Sequence, residues 1–274
     1  MAAPSPVAGC RLAAIQMVSA PEVAPNLEAA GRLIAAAAAR GAQLVALPEY
    51  FCILGRHEMD KVKVREKDGA GPIQDFLAEA ALKNGVWLVG GTLPLESNDV
   101  ARVRSACLVF DDRGKRVARY DKMHLFAFSR GAENYDETRA MQPGDTPVVV
   151  ESPYGRLGLS VCYDVRFPEL YRSKTPIDMW FVPSAFTATT GAAHWEILLR
   201  ARAIENLCYV VAPAQGGAHQ NGRRTHGHTM IVGPWGEVMA QEAEGEAVVI
   251  ADTDPTRIAE VRASLPALDN RRIQ

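Results

Sequence analysis

Arg156–Ser173 reads RLGLSVCYDVRFPELYRS. Arg156 to Tyr163 predicts a strand. Pro168 to Ser173 predicts a short helix whose proline falls in the first turn, where a missing N–H does no harm. Between them a thiol, an acid and a guanidinium reach the carboxyl end of a strand, the place where open α/β sheets bind ligands. Upstream, Thr146 to Val150 is a strand that meets this one through the turn Ser152-Pro153-Tyr154-Gly155, and downstream Ile177 to Val182 (IDMWFV) predicts the next. Gly191 to Leu207 is the longest clear helix. Tyr209 to Ala212, Thr229 to Val232, Glu237 to Ala240 and Ala247 to Ala251 complete the strands of this half.

The first half has the same style. Arg11 to Met17 predicts a strand and Pro25 to Arg40 an amphipathic helix, with Asn26 as its N-cap and Gly41 past its end. Gln43 to Leu47 is an apolar strand closed by Pro48-Glu49. Ile73 to Asn84 predicts a second helix, and Val86 to Thr92 a strand. Ser105 to Phe110 and Lys115 to Tyr120 flank the turn Asp111-Asp112-Arg113-Gly114 as a β-hairpin. No repeat, linker or charge run divides the chain. The expectation is one α/β domain over residues 10–274 with a mixed sheet system, preceded by a disordered leader, 1–9.

Composition narrows the function. Of 274 residues 48% are hydrophobic and 23% charged, which excludes intrinsic disorder. Thirty Lys plus Arg against 32 Asp plus Glu leave a net charge of -2, with no basic excess for nucleic acid or an anionic membrane. The longest purely apolar run, Leu33 to Ala39, is far short of the roughly 20 residues that span a bilayer. Five scattered cysteines without a CxxC pair suggest free thiols and a cytoplasmic protein. Val7-Ala8-Gly9-Cys10 mimics a lipoprotein cleavage box, but MAAPSP before it supplies neither a basic nor an apolar signal region.

Common signatures clear quickly. There is no GxxxxGK[ST] and no GxGxxG. Gly158 to Cys162 approaches a serine nucleophile elbow but ends in Cys where that motif needs Gly. His226 and His228, with His219 nearby, could share one face of a strand as metal ligands, yet no Asp or Glu lies close in sequence to complete a set. They are expected to be ordinary loop histidines.

Three segments place a reactive group at the end of a strand: Leu47-Pro48-Glu49-Tyr50, Tyr120-Asp121-Lys122-Met123-His124-Leu125-Phe126, and Val161-Cys162-Tyr163-Asp164-Val165-Arg166-Phe167-Pro168-Glu169. Alone, each has a bland use as a solvated acid, a surface charge or a small core residue. Together, in this chain order, they resemble the marker segments of the nitrilase superfamily of carbon–nitrogen hydrolases, over nearly everything from Arg11 to Arg272. The resemblance implies a four-layer αββα sandwich, dimeric or higher. It implies Glu49 as general base, Lys122 as oxyanion-stabilising cation and Cys162 as nucleophile. Glu137, ahead of Gln142-Pro143-Gly144-Asp145, matches a fourth family position, although Thr138 follows it where the family usually has Ser.

The implied chemistry suits these residue types. A free thiol titrates near ~8.5 and a glutamate near ~4.3, a gap of roughly 5.7 kcal/mol for direct proton transfer. Burial is expected to raise Glu49, and the Lys122 ammonium to lower the thiol, so that the gap closes from both sides. The backbone N–H of Tyr163 is the natural second donor to the oxyanion. No metal or organic cofactor is required. His194-Trp195-Glu196 and Leu199 to Asn206 are similar to the Nit branch, which holds deaminated-glutathione amidases and ω-amidases. Pro183 to Thr187, Ala214-Gln215-Gly216 and Thr225 to His228 resemble the first type, with His226 where Tyr is frequent. The implied substrate is a small 2-oxo acid amide, deaminated glutathione first, with α-ketoglutaramate or a nitrile as alternatives and a non-catalytic binding protein as the last. Arg166 resembles the branch's carboxylate binder; an ion pair with Glu169 is its structural alternative.

Overall fold

Strand β1 (Arg11–Gln16) is buried on both faces, Leu12 and Ala14 on one and Ala13 and Ile15 on the other. Such a strand needs a layer on each side. The computed structural model describes residues 8–131 and 133–273 and supplies both layers. Helix α1 (Val23–Ala39) turns Ala30, Leu33, Ile34 and Ala37 onto Ala13 and Ile15. Then come β2 (Leu44–Ala46), the single turn α2 (Asp60–Lys63), α3 (Pro72–Asn84), β3 (Trp87–Val89) and β4 (Leu93–Glu96). Strands β5 (Val103–Phe110) and β6 (Arg116–Asp121) form the expected hairpin, and a second, mostly exposed one follows in β7 (Ala127–Arg130) and β8 (Glu133–Asp136).

The second half builds another sheet from β9 (Val149–Ser152), β10 (Gly155–Leu159), β11 (Met179–Phe181) and β12 (Tyr209–Ala212), with α4 (Pro168–Arg172) and α5 (Ala188–Asn206) between them. A short ribbon, β13 (Gly216–Ala218) and β14 (Arg224–His226), leads to β15 (Thr229–Val232) and β16 (Val238–Glu242). Strand β17 (Ala247–Asp252) returns to the first sheet beside β1, and α6 (Pro255–Ser264) follows. Strand orders are β17-β1-β2-β3-β5-β4, with β6 on β5, and β16-β15-β12-β11-β10-β9.

The inner faces of the two sheets share one core, Leu12, Leu44 and Val109 with Leu157, Met179 and Met230. Helices α1 and α3 cover the first sheet, and α5, through Trp195, Leu199 and Ala203, covers the second. The result is the four-layer αββα sandwich.

Several expectations are corrected. Asn26 is not the N-cap of α1, which starts at Val23 after Glu22; its buried amide instead ties Ala20 to the Cys52 carbonyl. The strand expected to run to Tyr163 ends at Leu159, and Cys162–Arg166 is a 3-10 turn. Of the expected leader, residues 1–7 lie outside the described residues, and the Ala8 N–H donates to the Pro153 carbonyl at 3.3 Å.

Candidate active site

Glu49 leaves the end of β2 next to a backbone crossing. Gly91 has a positive φ of 43°, and a Cβ there would sit 2.1 Å from the Pro48 carbonyl oxygen, so only glycine permits the approach. Tyr50 follows with φ 57°, its N–H donating to Thr92 Oγ1 at 2.9 Å, while Gln215 Nε2 donates to the Glu49 carbonyl. Lys122 follows β6, its N–H donating to the Ser105 carbonyl at 3.0 Å and its carbonyl accepting from the Gly144 N–H at 2.8 Å. Glu137 opens a 3-10 turn at the end of the β7–β8 hairpin.

These side chains meet in a dry place. Lys122 Nζ lies 2.8 Å from Glu49 Oε1 and 2.9 and 2.8 Å from the two Glu137 oxygens. Glu49 and Lys122 are each 1% exposed. Glu137 also accepts from the Tyr50 hydroxyl at 2.6 Å and the Phe126 N–H at 2.7 Å. Cys162, 7% exposed, stands beside them in a left-handed conformation, φ 50°, its N–H held by the Pro183 carbonyl at 2.9 Å. For a residue with a side chain that conformation is unfavourable, and strain of this kind gathers at functional sites.

Asp164, the acid between Cys162 and Arg166 to which the sequence assigned no role, proves to be the hub of the turn. Its carboxylate accepts from the Val161 N–H (2.8 Å), the Tyr120 hydroxyl (2.7 Å) and the His124 N–H (3.0 Å), and it pairs with His124 Nδ1 at 2.7 Å. It thereby locks the Cys162 turn to the Lys122 loop. Both partners lay in the quoted segments, but only the fold shows that they touch.

Electrostatics correct one expectation. Burial raises Glu49, opposed by Lys122, as anticipated. Cys162 is also pushed well above the ordinary thiol range, by burial first and then by Glu49, and Lys122 only partly offsets this. Two carboxylates surround the one ammonium, so a thiolate would be a third anion. Lys122 itself is raised: Glu137 and Glu49 outweigh the burial that would lower it. Burial works to raise Glu137 too, but Lys122, Lys61 and the Tyr50 hydroxyl hold it low.

A cleft lined by Phe126, Cys162, Tyr163, Arg166, Phe186 and Thr190 opens on the thiol. Arg166 stacks over the Tyr163 and Phe186 rings and makes one side-chain hydrogen bond among the described residues, from Nη1 to His194 Nδ1 at 3.3 Å; its Nε has no partner. The Glu169 ion pair does not form. The Tyr163 N–H, second in its 3-10 turn, donates to no backbone carbonyl among the described residues. The His226 and His228 rings stack on each other at 4.1 Å, and both His219 ring nitrogens are engaged, by the Ser19 carbonyl and Thr225 Oγ1. Among the described residues no group of three or more His, Cys, Asp or Glu is arranged to hold a metal ion, and no helix is long and apolar enough to cross a membrane.

A four-layer sandwich with a buried Glu and Lys gathered beside a Cys that lines a cleft defines a nitrilase-type protein. The carbon–nitrogen hydrolase family model matches residues 11–263, and the chain belongs to that family. A deaminated glutathione amidase from Synechocystis sp. is 42% identical over 265 residues, covering 94% of this chain and 97% of that protein. An omega-amidase from Xenopus tropicalis is 36% identical, covering 96% of this chain and 95% of the relative. Among solved structures, the Saccharomyces cerevisiae member of branch 10 of the nitrilase superfamily superposes with a TM-score of 0.88 at 29% identity, covering 97% of both chains.

Proposed function

We propose that this carbon–nitrogen hydrolase is a cysteine-dependent amidase for a small 2-oxo acid amide, deaminated glutathione first, yielding 2-oxoglutarate and Cys-Gly. The observation that carries the substrate class is Arg166, a guanidinium at the wall of the thiol's cleft with no carboxylate partner among the described residues. Similarity to the Synechocystis amidase supports the particular substrate.

In this reading Cys162 attacks the amide carbon as its proton passes to Glu49. The transfer leaves the charge of the four-residue cluster unchanged, which is why a raised thiol is compatible with attack: loss of the proton to solvent would add an anion, and transfer to Glu49 does not. The oxyanion meets the Lys122 ammonium and the Tyr163 N–H. Glu49 returns the proton to the departing amine, then takes one from the water that opens the thioester. Glu137 holds Lys122 in place. The protein works, on this reading, in the cytoplasm as a homodimer or higher oligomer, and needs no metal.

The test is turnover of deaminated glutathione, α-ketoglutaramate, a neutral amide and a simple nitrile side by side in wild type and Arg166→Ala. Losing one charge-assisted pair costs about 2–3 kcal/mol, hence roughly 30- to 150-fold in kcat/KM for an acid amide. A neutral amide should be hydrolysed poorly and almost equally by both proteins. If both substrates fall together, Arg166 supports the fold and does not read a carboxylate.

A further inference from the structure

Glu137 is gripped by more than Lys122. The Tyr50 hydroxyl donates to its Oε1 at 2.6 Å, from a residue whose φ of 57° is unusual for a bulky side chain and which directly follows Glu49. Over the Tyr50 ring, 4.9 Å from its centroid, lies the ammonium of Lys61, a buried residue of α2. Lys61 pairs with Glu58 at 2.7 Å, and Arg223 stands 3.9 Å from Glu58. Charges therefore alternate in sign from the surface to the site: Arg223, Glu58, Lys61, Glu137, Lys122, Glu49.

We propose that Tyr50 and Lys61 are positioning residues that keep Glu137 ionised and fixed, so that the Lys122 ammonium stays available to Glu49 and the reacting carbonyl. The inference rests on the amidase reading above. One ammonium cannot satisfy two buried carboxylates unless something else carries part of the load of the second. The groups facing Glu137 are Lys122, Glu49, the Tyr50 hydroxyl, Lys61, the Phe126 N–H and the Cys162 thiol. Without the hydroxyl or the outer cation, Glu137 would draw harder on Lys122 and would take up a proton at higher pH. A protonated Glu137 no longer holds the lysine, so activity should fail from the acid side.

The experiment measures kcat against pH, with Tm, for wild type, Tyr50→Phe, Lys61→Met, Lys61→Arg and Glu137→Gln. Tyr50→Phe keeps the ring and removes only the hydroxyl. It should lower kcat about tenfold, the scale of a hydrogen bond to a charged group, and move the acid limb to higher pH. Lys61→Met should move the limb the same way by less, and Lys61→Arg should restore it. The proposal is overturned if Glu137→Gln is inactive while Tyr50→Phe and Lys61→Met keep both kcat and the acid limb of wild type. It is equally overturned if they lose activity in parallel at every pH with a lowered Tm, the mark of a merely structural role. If Tyr50→Phe does not fold, the two Lys61 variants decide. Wild-type kcat in Glu137→Gln would remove Glu137 from the site and overturn the proposal, while the amidase reading, which is tested through Arg166, would stand.

Discussion

Five cysteines are present, and their surroundings single out one of them. Burial pushes Cys10 to about 11, Cys107 and Cys208 to about 12 and Cys52 higher still, and none of the four lines the cleft that Cys162 borders. Cys162 is also raised, but it borders the cleft and has beside it the Glu49 carboxylate, the proton acceptor of the proposed mechanism. Iodoacetamide should therefore label Cys162 first and abolish turnover in step with labelling, Cys162→Ala should be inactive, and a chelator should change nothing; peptide mapping with parallel assays checks all three. Glu49→Gln and Lys122→Ala should each lower kcat by about 10² or more, and wild-type kcat in either would remove it from the chemistry. At this scale the sequence was informative about the proposed reactive groups and silent about the residues proposed to support them. Glu49, Lys122, Glu137 and Cys162 are recognisable by type and neighbours. Tyr50 meets Glu137 across 87 residues of chain and Asp164 meets His124 across 40, while the charge of Lys61 acts on Glu137 from 76 residues away without touching it.

Secondary-structure elements were legible where they carry an apolar face or a turn signal. Strands β12 and β15 fall where alternation and apolar runs put them, and α3 ends at Gly85 in the left-handed conformation. The β7–β8 hairpin was missed because AFSR and ENYD are largely solvated and carry no alternation to read. Helix α6 was missed despite a usable signal, Asp254 capping the Thr256 N–H with Pro255 at the first position. The left-handed turn at Cys162 had no signal, since a cysteine there runs against its own backbone preference. Gly91 tests how tightly an element aims its side chain. In Gly91→Ala the new Cβ meets the Pro48 and Leu47 carbonyl oxygens, backbone atoms that can move only by displacing Glu49. Stability should fall by about 1–3 kcal/mol and kcat by at least tenfold, read by denaturant melts beside steady-state rates. A fall in stability with unchanged kcat would mean that Glu49 is aimed by something other than this crossing.

Across the whole molecule, the site joins two sheets that the sequence alone could not arrange in space. Glu49 and Lys122 leave strands of the first sheet and Cys162 a strand of the second, so the cluster exists only when the sheets are docked. Alternation along the chain indicated an α/β class; the four-layer order came from resemblance, because periodicity says which faces are buried and not against what. Docking buries three charges together, which makes stability sensitive to their balance. Lys122→Ala should cost about 3–5 kcal/mol at neutral pH by leaving two buried carboxylates without their shared cation. Those carboxyls would then titrate above their unfolded values, and groups raised on folding add stability at low pH and lose it as pH rises through the folded value. The deficit against wild type should therefore be smaller at pH 5 than at pH 7 in denaturant titrations. Equal deficits at both would point to lost packing.

Strand β1 has another consequence, for the protein's birth. Its Arg11 pairs with Asp252 of β17, 241 residues further along the chain. At about 5–20 residues per second a ribosome needs roughly 12–50 s to deliver that partner. Throughout that interval the emerging β1 carries an open row of N–H and C=O groups, a template for pairing with any neighbouring nascent chain. Translation speed and chaperone occupancy should thus govern the yield of active enzyme, and a stall shortly before residue 247 should be the most damaging place to pause.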